Sequence, residues 1–164
     1  MNEVLRQEKK YLLSYDQFRR LDHTFEQVLH PDSHNGKMGY PIRSLYFDTM
    51  QERDFYEKED GLEIRRKIRL RTYSLDSDFA MLEMKQKQGE NQKKRSLRLG
   101  REDAEALSRG EYSCLLHYTD SFAMECYGLM NMLCYRHEAE RFSILMGQHF
   151  SCGAYLTGHR TPLI

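Results

Sequence analysis

Two hydrophobic periods alternate along this chain. From Phe18 through Leu21, Phe25, Val28 and Leu29, apolar residues recur at the three- and four-residue spacing of an amphipathic helix. Ser14 followed by Gln17 supplies a capping box and His30-Pro31 a stop, so that helix is predicted over Tyr15–Leu29. Elsewhere the period is two. Strands are expected at Glu3–Leu13, Tyr40–Asp48, Leu62–Tyr73, Phe79–Gln88 and Lys93–Leu99, with a loop at Pro31–Gly36 and turns at Ser74–Asp78 and Gly89–Gln92. The charged run Gln51–Asp60 reads as a short helix or an extended turn. The helical period returns over Arg101–Ser108 and in one or two short helices within Glu111–Met130, before a last strand at Leu133–Phe142. This order implies an antiparallel α+β domain, not a doubly wound sheet.

Period two also sorts the charges. On Leu62–Tyr73 one face carries Arg65, Lys67, Arg69, Arg71 and Tyr73, while the other carries Ile64, Arg66, Ile68, Leu70 and Thr72. On the next strand Glu83, Lys85 and Lys87 share a face, opposite Leu82 and Met84. The opening strand places Glu8 and Lys10 together. Lys94 or Arg95 extends the set. A solvated sheet face normally mixes Thr, Ser and Glu among its cations, and like charges two apart on a strand repel. Four successive cations therefore point to a polyanion, and arginine's planar fork suits phosphate. Glu8 and Glu83 fall on this face either as salt-bridge partners, the commoner role, or as ligands for a hard divalent metal.

Composition sharpens the picture. The 164 residues carry 25 Lys+Arg and 25 Asp+Glu, yet the balance is uneven: net −3 over residues 1–60, +7 over 61–101 and −4 over 102–164. An anion is drawn to the middle third. No run approaches the roughly 18 apolar residues of a membrane span, and MNEVLRQEKK is no signal peptide, so a cytoplasmic protein is expected. The four cysteines form no CxxC pair, and the seven histidines show no HxxxH or HExxH spacing. There is no Walker loop and no nucleophile elbow. The basic strands lack the Gly/aromatic interleaving of stacking platforms, which argues against nucleic acid.

Glu8-Lys9-Lys10-Tyr11-Leu12, Tyr40–Thr49 (YPIRSLYFDT), Asp60–Tyr73 (DGLEIRRKIRLRTY), Leu82–Lys87 (LEMKQK) and Tyr135-Arg136-His137-Glu138-Ala139 together resemble the VTC domain, the polyphosphate polymerase branch of the triphosphate tunnel metalloenzymes. The resemblance implies an antiparallel β-barrel whose Arg- and Lys-lined tunnel holds ATP, triphosphate or polyphosphate. Phosphoryl groups would be transferred there with Mg²⁺ or Mn²⁺. Carried over by motif, the catalytic cations are Arg69, Arg71 and Lys85. Lys10, Arg43, Lys67, Lys87, Lys94 and Arg136 would bind phosphate, and Glu8, Glu83 and Glu138 would be the metal ligands.

The chain departs from that pattern in places. Arg6 stands where the first Glu of an E-x-E-x-K motif belongs, and further basic strands normally follow the YRHEA segment. Residues 142–164 hold one formally charged side chain, Arg160, where about seven are expected at this chain's composition. The expectation is a tunnel domain over 1–142, an atypical, truncated or altered tail over 143–164, and an incomplete barrel whose open edge can pair with a second chain. A binding module for polyanions without turnover is the alternative to an enzyme.

Overall fold

Alternating apolar and charged residues set up three long strands that pair as two consecutive hairpins. The computed structural model describes residues 1–7, 11–31, 40, 42–74, 76–132, 136–137, 141–143 and 150–151. In chain order these form β1 (Asn2–Gln7), α1 (Tyr15–Val28), β2 (His30–Pro31), β3 (Ile42–Asp48), α2 (Arg53–Glu59), β4 (Ile64–Thr72), β5 (Phe79–Gln88) and β6 (Asn91–Gly100). α3 (Arg101–Ser108), a 3-10 helix (Tyr112–His117), α4 (Ser121–Met132), β7 (Arg136–His137), β8 (Arg141–Ser143) and β9 (Phe150–Ser151) follow. They divide into two units, Met1–Leu5 with Pro41–Ile144, and Arg6–Tyr40 with Leu145–Ile164.

The first unit is an antiparallel sheet with flanking helices, an α+β fold. The sheet runs β1-β6-β5-β4-β3-β7, and β8 also pairs with β3. No pairing among the described residues joins β1 to β7 or β8, so the sheet is open along this path. The expected last strand is present as two short pieces, β7 and β8, both antiparallel to β3. The β5–β6 turn is tighter than the sequence suggests. Gln88 already pairs with Asn91, leaving the two-residue loop Gly89-Glu90, and Gly89 takes φ +59° at the first loop position, where glycine is favoured.

One sheet face is dry. Ile68, Leu82, Met84 and Leu99 are fully buried, and with Phe47, Leu70 and Leu97 they pack against Ala104 and Leu107 of α3, Leu115 of the 3-10 helix, and Phe122, Cys126 and Met130 of α4. Burying each large side chain here contributes about 1.5–3 kcal/mol. Tyr118 clasps the helical layer to the sheet end: its hydroxyl accepts from the Gly100 N–H (3.1 Å) and donates to Asp103 Oδ2 (2.6 Å).

At the end of β3, Asp48 fastens α2. Its buried Oδ1 accepts from the N–H groups of Thr49 (2.7 Å) and Asp54 (2.9 Å), and Oδ2 accepts from Phe55 N–H (2.9 Å). The carboxylate thereby satisfies first-turn donors that a helix cannot satisfy itself.

In the second unit, α1 begins with the expected capping box. Ser14 Oγ accepts from Gln17 N–H (3.3 Å) and Gln17 Oε1 from Ser14 N–H (2.9 Å). β2 pairs with β9. The opening strand is shorter than expected: Tyr11–Leu13 are not in a strand, because the chain is already approaching the Ser14 cap.

Candidate functional site

Pairing register decides which charges share a face, since directly opposed residues of an antiparallel pair project the same way. Arg65, Lys67, Arg69 and Arg71 of β4 face Lys87, Lys85, Glu83 and Met81 of β5. Those in turn face Gln92, Lys94, Ser96 and Arg98 of β6. On the other side, Tyr46 and Ser44 of β3 oppose Arg69 and Arg71. The outcome is one polar, strongly cationic face, opposite the face that the helices cover. Within it Lys67, Lys85 and Lys94 form a row in direct register across three strands.

Glu83 sits at the centre of this face, 1% exposed. Arg69 reaches its Oε2 through Nε (2.7 Å) and Nη2 (2.6 Å), Arg71 Nε lies 3.8 Å from the same oxygen, and Lys94 Nζ is 2.5 Å from Oε1. Burial alone raises the carboxyl's pKa, but the charges of Arg69, Lys94 and Arg71 outweigh it and hold Glu83 below the usual carboxylate range. Arg69 also donates through Nη1 to the Tyr46 hydroxyl (3.2 Å), and Arg71 Nε to Ser44 Oγ (3.4 Å). Burial raises the pKa of Tyr46 too, yet Arg69, Arg71 and Lys67 bring it below that of an ordinary phenol.

These residues are pre-positioned by strand geometry. Arg69 and Arg71 lie on either side of Leu70, and Ile68 and Leu70 are held in the core, so the arginines must point to the other face. Lys85 follows the buried Met84 by the same rule, and Lys94 lies opposite Lys85. The structure thus brings Lys67, Arg69, Arg71, Lys85 and Lys94 together, with Arg65 and Lys87 paired further along the same face.

Two further residues expected at the site, Arg95 and Arg43, lie on the other face. Arg95 belongs to the helix-packed face: its guanidinium forks onto Glu125 of α4 (Nη1 to Oε2, Nη2 to Oε1 at 2.7 Å) and stands 5.1 Å from the Phe122 ring centre. It shares its face with Leu97 and Leu99, and that alternation was the available signal. Arg43 opposes Thr72 on the same side and lines a shallow hollow with Leu45, Leu70 and Arg101. Arg136 is placed by its backbone alone, opposite Asp48. Lys10, Glu8 and Glu138 lie outside the described residues. Tyr46, Ser44 and Arg98 are further members of the polar face that the charge pattern passed over, although Ser44 and Tyr46 alternate within YPIRSLYFDT.

A divalent cation needs carboxylate oxygens with lone pairs to spare. Among the described residues no three His, Cys, Asp or Glu side chains gather as a metal site. Glu83 has cations on both oxygens, and Asp48 spends both of its oxygens on backbone N–H groups. As placed, the described donors do not fit such an ion.

The chain belongs to the VTC domain family, whose model matches residues 5–142. Among solved structures it is similar to a Bacillus halodurans protein described as a "putative adenylate cyclase", with 17% identity, a TM-score of 0.47, and coverage of 84% of this chain and 62% of that one. This chain therefore spans under two thirds of that protein's length. No curated protein matched. No helix among the described residues is long and apolar enough to cross a membrane.

Proposed function

We propose that this VTC domain holds the phosphate chain of a nucleoside triphosphate or of polyphosphate against the cationic face of its sheet, and that phosphoryl transfer between such chains is the reaction served. The observation that carries the reading is the row Lys67, Lys85 and Lys94, set in direct register across β4, β5 and β6 beside Arg69 and Arg71. Cations gathered in one row concentrate positive potential on this face. A bound polyanion meets that potential with several charge-assisted contacts at once. Phosphoryl transfer asks chiefly for positioning and for stabilisation of negative charge, and Arg69, Arg71 and Lys85 are the residues assigned to it.

The family resemblance implies Mg²⁺ or Mn²⁺, but Glu83, with cations on both of its oxygens, is not placed to hold either ion. Buried free thiols at Cys114 and Cys126 suit a cytoplasmic setting.

Calorimetric titration with tripolyphosphate tests the reading. Binding is expected, and Arg71→Ala weakens it by more than about 1 kcal/mol through loss of a charged hydrogen bond. Unchanged affinity in that variant would remove Arg71 from the site. Incubation with ATP then separates two outcomes: polyphosphate formed marks an enzyme, and binding without product marks a module that retains the chain.

A further inference from the structure

The carboxylate of Glu83 occupies the centre of the cationic face as a phosphate group would. It offers two oxygens, one taken by Arg69 at 2.6 and 2.7 Å with Arg71 at 3.8 Å, the other by Lys94 at 2.5 Å, and it is 1% exposed. The cations are less enclosed: the side chains of Arg69, Arg71 and Lys94 retain 12%, 17% and 26% exposure. These side chains reach solvent where Glu83 does not, and an incoming anion must share or take their N–H donors. The contacts that describe a salt bridge are therefore the contacts that a ligand needs.

Two roles follow for such a residue, with opposite signs. If Glu83 only orients Arg69 and Lys94, its loss scatters them and weakens anion binding. If it competes, its loss frees donors and raises the positive field, which strengthens binding. The geometry favours competition. Arg69 is also held by Tyr46, Arg71 by Ser44, and all three cations spring from strands paired on both sides, so their placement does not rest on Glu83 alone. Glutamine keeps the shape of the side chain and one acceptor oxygen, removes the charge, and puts an NH2 donor in place of the second oxygen.

We infer that Glu83 is a built-in competitor for the phosphate site, a specificity-determining carboxylate that admits an anion only when it outbids a single carboxylate for Arg69 and Lys94. Weak monoanions are rejected, and chains of several phosphates are selected. This rests on the function proposed above, and it departs from a metal-ligand role for Glu83.

The test compares the full chain with Glu83→Gln by titration with tripolyphosphate and with monovalent acetate, at fixed salt and with a chelator present. Glu83→Gln is expected to bind tripolyphosphate about tenfold more tightly and to gain measurable acetate binding. Equal or weaker tripolyphosphate binding by the variant, with the unaltered chain binding well, overturns the competitor and leaves the phosphate site standing. No binding by either protein overturns the site itself, and the competitor with it. In a parallel titration without chelator, an affinity that rises with Mn²⁺ in the unaltered chain and not in Glu83→Gln assigns Glu83 to a metal and also overturns the competitor. Should the variant fail to fold, the side-chain N–H resonances of Arg69 and Lys94 in the unaltered chain decide: both are expected to shift when tripolyphosphate is added, and stationary signals overturn the proposal.

Discussion

The two faces of the β4–β5–β6 sheet share a backbone and differ in everything their side chains do. On one, Ile68, Leu82, Met84 and Leu99 vanish beneath α3, the 3-10 helix and α4. On the other, cations stand opposite cations, and a lone buried glutamate collects three of them. Each face even has its ion pair, and the pairs contrast. Arg95 with Glu125 joins the sheet to α4 and ties two elements together. Glu83 with Arg69 and Lys94 ties β5 to its own neighbours, which the ladder already holds. The first pair has a structural purpose. The second adds little that the hydrogen-bonded strands lack, and so it invites a functional one.

Substitutions should separate the faces sharply. The largest effect is expected on the dry side: Phe122→Ala costs about 3–5 kcal/mol in denaturant unfolding, while tripolyphosphate affinity of the folded protein stays within about twofold. A drop in affinity matching the loss of stability would mean that the faces are not independent. Asp48→Ala leaves three N–H groups without their acceptor and is expected to cost about 2 kcal/mol, whereas Asp48→Asn, which keeps one acceptor oxygen, costs less. Equal loss in the two variants would show that a single acceptor oxygen does not hold α2.

The smallest effects are those of pH, and they fall at opposite ends of the scale. The native pKa of Glu83 is lowered, so its contribution to stability is present above the unfolded value of about 4.3 and is lost as pH falls through the native one. Burial pushes the Cys126 thiol up to about 12, so its contribution is present below the unfolded value of about 8.5 and is lost as pH rises toward the native one. Unfolding midpoints across pH should therefore lose part of their acid slope in Glu83→Gln and part of their alkaline slope in Cys126→Ala. A variant that altered the other limb would break the assignment of each group to its face.

Much of this was legible in the alternation of residues. Arg69 and Arg71 are fixed on the polar face by the apolar Ile68 and Leu70 between and beside them, and the capping box of α1 is local chemistry that Ser14 and Gln17 announce. What escaped the sequence depended on partners far along the chain. Arg95 looked like one more cation because its mate, Glu125, lies on a helix 30 residues away. Asp48 read as part of a motif, and its work as a helix fastener shows only once α2 folds back on it. The enclosure of Glu83 by Lys94 needs the β5–β6 register, which a two-residue turn sets in place of the four-residue one the composition suggested.

The lysine row also gives the sheet a grain. Neighbouring strands lie about 4.8 Å apart, while same-face residues on one strand are separated by about 6.8 Å. A thread laid crosswise, over Lys67, Lys85 and Lys94, meets its next ammonium sooner than one running with the strands. The weave of the backbone thus distinguishes warp from weft, and a linear guest finds its densest footing at right angles to the chain that built it.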